Sequence, residues 1–407
     1  MRRREFITLL GGAAAVPLAA QAQTPQLIDE SLRGAVERKD IAGVVAMAAD
    51  RNRVLYQGVF GSADVATGRP LTADSLFRIA SMTKAITSLS AMQLIEQGRF
   101  TLDDPVEKYL PAFVKPPVIE SFDSATGAYR LRPAERAVTV RHLFTHTSGL
   151  GYGFTSPILR DFKPRPGEEY TVGPLAFEPG ERWLYGTSTD WLGRLVETMS
   201  GKPLADYFSQ HVFNPLGMAD TFYDVPAEKQ ARLAAVHRRQ ADGTIVKETM
   251  QPPATGFPVT GGGGLSSTAS DYIRFVRMLL NGGELEGVRV AAADSVALMS
   301  RNHIGALGVP ALKTAMPERS DDFSFIADGR DKWGLGFLIT ADAVPGKRSA
   351  GSLSWGGINN TYFWVDRTRG IAGVILMQFL PFADRKALAV YDAFERGVYR
   401  LADAMRI

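Results

Sequence analysis

Ser81 and Lys84 stand three residues apart where an apolar pattern of helical period begins, in "IASMTKAITSLSAMQLIEQGRF" (residues 79–100). Side chains three apart on a helix share a face, with Cβ atoms about 5–6 Å apart, so an ammonium at 84 reaches a hydroxyl at 81. The N-terminus of a helix adds free N–H groups and the positive end of the macrodipole, both of which stabilise charge on a bound oxygen. These features suit an acyl-transfer nucleophile. The competing reading is a capping serine beside a solvated lysine, because chance supplies on the order of one S-x-x-K in a chain of this length. No second S-x-x-K occurs.

Other catalytic patterns are absent or incomplete. The G-x-S-x-G elbow of α/β-hydrolases does not occur, and "GTSTD" and "SLSWG" each miss one glycine. Asp190 and Asp366 lack a convincing histidine and serine to complete a triad. The chain has no cysteine, which excludes disulfides, thiolate catalysis and cysteine-ligated zinc. His142 and His146 in "RHLFTH" are spaced to share a helix face, but no glutamate lies between them, so a structural role is expected. Neither a metal nor a cofactor is expected. The run Gly261 to Gly264 lacks both the spacing and the basic neighbour of a phosphate loop.

The elements that must hold these residues follow from periodicity. A helix ending at Gly43 and a hairpin in "VVAMAADRNRVLYQGVFGSAD" open the mature chain. Helical patterns dominate from Ser81 to about residue 250. Pro- and Gly-rich loops interrupt them at "VKPPVIESFDSATGAYRLRPAER" and "GFTSPILRDFKPRPGEEYTVG", both long enough to serve substrate access. A helix capped by Thr268 follows. "WGLGFLIT", "RSAGSLSWGG", "NTYFWVDRT" and "GIAGVILMQ" then read as strands, before an amphipathic helix from about Arg385 to Ala404. This order predicts an α/β protein of the α+β type. Its antiparallel sheet is assembled from both chain ends, with an α/β lobe at about 23–78 and 260–407 and a helical lobe at about 79–259.

The stretch "TADSLFRIASMTKAITSLSAMQLIEQGRFTLDDPVEKYLP" resembles the nucleophile region of the serine β-lactamase and penicillin-binding-protein superfamily. "VTVRHLFTHTSGL", "PLAFEPGERWLYGTSTDWLGRLVETMSGKPLADYFSQHVFNPLGMADTFY" and "LSWGGINNTYFWVD" extend the likeness to the class C-like branch over nearly the whole mature chain. Within it the chain is most similar to family VIII carboxylesterases, and a class C β-lactamase-like fold is implied. Two departures from the β-lactamase pattern support that placement. Tyr185-Gly186-Thr187 keeps the tyrosine of Tyr-x-Asn without its asparagine, and Trp355-Gly356-Gly357 stands where Lys-Thr-Gly would. Lys313-Thr314-Ala315 lies away from the late strands and is set aside.

The resemblance implies Ser81 as nucleophile, with Lys84 and Tyr185 sharing the acid and base roles. A nearby ammonium favours a phenolate, and burial equally favours a neutral lysine, so either can be the base. The oxyanion donors are expected to be the N–H groups of Ser81 and Ile358. Trp355, Gly356 and Gly357 are expected to contact substrate, with Trp355 offering an apolar face where a β-lactamase has a cation. A carboxylesterase acting through a Ser81 acyl-enzyme is the expected function. A β-lactamase or D-Ala-D-Ala carboxypeptidase-like hydrolase, and a non-catalytic protein that binds cell-wall fragments or a partner, are the alternatives.

Lys plus Arg number 46 against 43 acidic residues. That near balance leaves no footprint for nucleic acid or an anionic membrane. "MRRREFITLLGGAAAVPLAAQA" (1–22) reads as a leader cleaved near Ala22, and Arg3-Arg4-Glu5-Phe6 resembles a twin-arginine signal. Its apolar part is shorter than the roughly 20 residues a bilayer requires, so no stable membrane anchor is expected. The expected partners are therefore a small-molecule ester or β-lactam and, during secretion, the twin-arginine export machinery. The expected location is periplasmic or secreted.

Overall fold

The computed structural model describes residues 18–256, 258–324 and 329–405. The twin-arginine stretch lies outside the described residues. Helix α1 (Leu18–Glu37) leads into strands β1 (Gly43–Asp50), β2 (Val54–Asp64) and β3 (Arg69–Pro70). The late part of the chain supplies β4 (Lys332–Trp333), β5 (Leu338–Ile339), β6 (Leu353–Gly357), β7 (Thr361–Asp366) and β8 (Ile371–Leu376). These eight form one antiparallel sheet in the order β4-β5-β6-β7-β8-β1-β2-β3. The central join is β1 with β8, pairing Val45 with Leu376 and Asp50 with Ile371. Residues more than 300 positions apart thus close the sheet, as the order of patterns predicted.

The central strands β6, β7, β8 and β1 are buried along their whole length. Strands covered on both faces read as continuous apolar runs, and alternation decides which helix each residue meets. Phe363 packs on Tyr272 of α5 (Ala269–Leu280), whereas Trp364 meets Phe394 of α6 (Arg385–Met405). α1 packs on α6 over that second face. α5 starts as expected, with the Thr268 side chain accepting the Asp271 N–H.

Three further helices pack on one another. α2 (Thr83–Glu96) is buried through nearly all its length and packs against α4 (Ser188–Ser200), which also meets α3 (Val140–Thr145). Two expectations change here. The stretch read as a Pro-rich loop contains a hairpin, Pro117–Phe122 with Tyr129–Pro133, because the alternation in "VIESF" and "YRLR" outweighs the flanking prolines. α3 also ends before His146, which adopts a left-handed φ of 55°. His142 and His146 therefore do not share a helix face: His142 Nδ1 accepts the Thr139 N–H in a capping box, and His146 is buried. Among the described residues, no cluster of acidic, histidine or cysteine side chains suits a metal, and no helix is long and apolar enough to cross a membrane.

Candidate active site

Ser81 sits in a single 3-10 turn, Ala80–Met82, that runs directly into α2. Ala80 has a φ of 46°, a left-handed conformation costly for a residue with a Cβ. The turn is pinned by the Ile79 N–H on the Leu265 carbonyl at 3.0 Å and by the Met82 N–H on the Ile79 carbonyl at 3.0 Å. Lys84 is the second residue of α2 and is only 1% exposed. Its Nζ donates to Ser81 Oγ at 3.3 Å, to the Tyr152 hydroxyl at 3.0 Å and to the Gly262 carbonyl at 2.7 Å. Three donors thus meet three acceptors.

The charge on Lys84 follows from these partners. Burial alone would push its pKa down, but the Tyr152 and Tyr185 oxygens and the Asp190 carboxylate outweigh it and hold the ammonium above its ordinary value. Burial conversely pushes the Tyr152 phenol up, against the pull of Lys84. A lysine that is the charged donor to Ser81 is not free to take the serine proton.

Tyr185 is buried, and its ring lies beneath the Lys84 Nζ at 4.8 Å from the centroid. Its oxygen accepts the Trp355 indole N–H at 3.2 Å. The ring is walled by His146, Trp183 and Trp355, with Trp333 set edge-on against Trp355. Trp355 is itself 3% exposed, so its N–H serves Tyr185 while its ring joins this aromatic wall.

Tyr152 was not singled out from the sequence. It lies in "SGLGYG", inside a stretch read only as an access loop. The signal that would have found it is in the backbone. Segment 150–152 runs against 185–186, with the Tyr152 N–H on the Tyr185 carbonyl at 3.3 Å, so the two tyrosines stand side by side. Gly186 permits this approach, since a Cβ there would meet the Leu150 carbonyl oxygen at 2.2 Å. The glycine run has a matching purpose. The Gly262 carbonyl holds Lys84, the Gly261 carbonyl accepts the Thr87 hydroxyl at 2.6 Å, and Asp190 accepts the Gly262 N–H at 2.8 Å. Asp190, set aside as a triad acid, thus fixes the strap that grips the lysine.

On the other side of Ser81, β6 ends at Gly357 and Ile358 follows at once. A Cβ on Gly357 would lie 2.2 Å from the Ile79 carbonyl oxygen, so only glycine lets β6 touch the turn that carries Ser81. Gly356 is similarly pressed on Tyr362. The half-buried Ile358 lines a cavity of about 390 Å³ together with Ala80, the residue before the serine. A second cavity, about 680 Å³, is bordered by Gly151, Thr187, Asp190 and Gly261. The turn of Ser81, the strap of Lys84, Tyr152, Tyr185 and the end of β6 therefore form one connected site.

Residues 28–396 match the Beta-lactamase family. The chain belongs to that family. It is 31% identical over 412 residues to monacolin J acid methylbutanoyltransferase of Aspergillus terreus, covering 94% of this chain and 98% of that one. It is 29% identical over 402 residues to lovastatin esterase of Penicillium rubens, covering 93% and 99%. A variant of simvastatin synthase from Aspergillus terreus superposes with a TM-score of 0.79 at 29% identity, over 95% of this chain and 98% of that chain. The mixed α/β architecture, with a large antiparallel sheet flanked by helices, is the fold of these relatives. The first is named as a methylbutanoyltransferase and the second as an esterase.

Proposed function

We propose that this β-lactamase-family chain is a serine acyl-transfer enzyme that cleaves carboxylic esters through an acyl group on Ser81. The observation that carries the reading is the buried Lys84 ammonium, bonded at once to Ser81 Oγ, the Tyr152 hydroxyl and the Gly262 carbonyl. Acylation needs Tyr185 as the phenolate, and the Lys84 ammonium and the Trp355 N–H are in place to hold that charge. Tyr185 takes the Ser81 proton as Oγ bonds the ester carbonyl carbon. The carbonyl electron pair moves to oxygen, facing the N–H groups of Ser81 and Ile358. Collapse expels the alkoxide, which takes the proton from Tyr185, and water then repeats the sequence to free the acid.

Ser81→Ala is expected to remove turnover of short-chain p-nitrophenyl esters, and the wild-type protein to gain one fluorophosphonate adduct at Ser81 by mass spectrometry. Retained turnover in the variant would sink the reading. Absence of the adduct would instead favour the non-catalytic binding protein.

A second reading, transfer of the acyl group to an alcohol in place of water, is favoured by the 31% likeness to a methylbutanoyltransferase over nearly the whole chain. The β-lactamase reading is weakened because Trp355 stands where the third motif would place a cation and because its N–H is engaged by Tyr185. Export belongs to the same proposal, supported by Arg3-Arg4 and the apolar stretch that follows. Replacing both arginines with lysine is expected to keep the protein in the cytoplasmic fraction of a bacterial host, and unchanged release to the periplasm would count against a twin-arginine route.

A further inference from the structure

The cavity of about 390 Å³ that begins at Ala80 and Ile358 has an apolar body, with Tyr223, Val236, Pro252, Leu265 and Leu380 among its walls. Its charged residues are Arg78, Arg238, Arg319 and Glu248. Arg238 and Glu248 form an ion pair at 2.5 Å and cancel one another. Arg78 and Arg319 have no carboxylate partner among the described residues, whereas the buried Arg348 is paired with Glu395 at 2.7 Å. The cavity therefore carries net positive charge.

Arg78 is the informative one. It lies three residues before Ser81, on the short strand Phe77–Arg78. Its guanidinium is partly buried and, among the described residues, donates only to main-chain carbonyls, those of Pro252 and, at 3.5 Å, Ala234. Burial without an acid beside it lowers its pKa to about 10, so it remains a cation at neutral pH. Its backbone is held from the oxyanion side, because Asn359, next to Ile358, donates from Nδ2 to the Arg78 carbonyl at 3.1 Å. A half-buried guanidinium satisfied only by neutral carbonyls gains from an anionic partner, and carboxylate is the anion its planar fork matches best.

We propose that this cavity is a carboxylate subsite, and that the preferred esters carry a free carboxylate at the end of an apolar chain, in either the acyl or the alcohol half. Arg78 and Ala80 both line this cavity, so one space joins the residue beside Ser81 to the guanidinium, with the apolar walls between them for the chain. The inference rests on the esterase reading for its turnover test, and a binding test keeps the two separable.

The first arm compares kcat/KM for mono-4-nitrophenyl suberate with that for its methyl ester. The second compares 6-(butyryloxy)hexanoate with its methyl ester by pH-stat. In at least one arm the carboxylate form is expected to be preferred tenfold or more, and that arm names the half that bears the charge. The preference ratio is expected to drop at least tenfold in Arg78→Met, by less in Arg78→Lys, and severalfold in Arg319→Gln. Arg319 is exposed, so its replacement is safe for folding even if Arg78→Met is not. Independently of turnover, Ser81→Ala is expected to bind monomethyl suberate at least tenfold more tightly than dimethyl suberate by calorimetry. No preference in either arm, a ratio unmoved by both Arg78→Lys and Arg319→Gln, or equal binding of the two suberates would each overturn the subsite. Loss of all ester turnover with the binding preference intact would remove the esterase reading and leave the subsite standing.

Discussion

At the scale of residues, two tyrosines flank one lysine and their roles differ. Tyr185 has its oxygen fixed by an indole N–H and its ring beneath the ammonium, whereas Tyr152 accepts from Lys84 directly and is kept neutral by burial. Tyr185→Phe is expected to lower kcat by about 10²–10⁴-fold, the range for losing a general base. Tyr152→Phe removes one of three acceptors for Lys84 and is expected to cost about tenfold in kcat with little change in KM. Equal losses in the two variants would refute this division of labour. Ser81, Lys84 and Tyr185 were legible in the sequence because their types and a family likeness converge on them. Tyr152 was not, because its place depends on backbone pairing between residues 152 and 185 that no local pattern announces.

At the scale of elements, the site is an encounter between the start of a helix and the end of a strand. Gly357 is the point of contact, with space for no side chain between β6 and the Ile79 carbonyl. Gly357→Ala is expected to cut kcat/KM on p-nitrophenyl esters by 100-fold or more while lowering Tm by only a few degrees, since the displaced part is the turn and not the core. A fully active alanine variant would show that β6 does not position Ser81. The strands and the terminal helix were readable from apolar runs and amphipathic period. The hairpin at 117–133 was hidden by prolines at its ends, and the early stop of α3 by the left-handed turn at His146, for which the sequence offers no glycine.

At the scale of the whole molecule, all five histidines are held below their ordinary range, each first by burial, with His142 lowered to about 4. The unfolded chain has these groups near 6.5, so it binds more protons than the native state between that pH and the folded values. The stability they contribute is complete above pH 6.5 and is lost as pH falls toward 4. His142 alone accounts for about 3 kcal/mol of that loss at about 1.36 kcal/mol per unit, since burial and the charges of Arg136 and Arg141 all disfavour its protonated form. Urea midpoints are expected to fall steadily from pH 7 to pH 4.5, and less steeply in His142→Gln. A flat midpoint over that range would contradict the account. None of this was visible in the sequence, where the histidines are simply scattered.

In the proposed reaction the atoms that hold the reacting groups come largely from the main chain: the Gly262 carbonyl on the lysine and the Ile79 carbonyl against Gly357, together with the N–H groups of Ser81 and Ile358 assigned to the oxyanion. Side chains that line the cavity beside them, such as Pro252 and Leu380, belong to other parts of the chain and take no part in that grip. How the bond is cut and which molecule is chosen are thus encoded in separate sets of positions. Such a scaffold can be taught a new substrate by rewriting its walls, one side chain at a time, with its chemical engine left running.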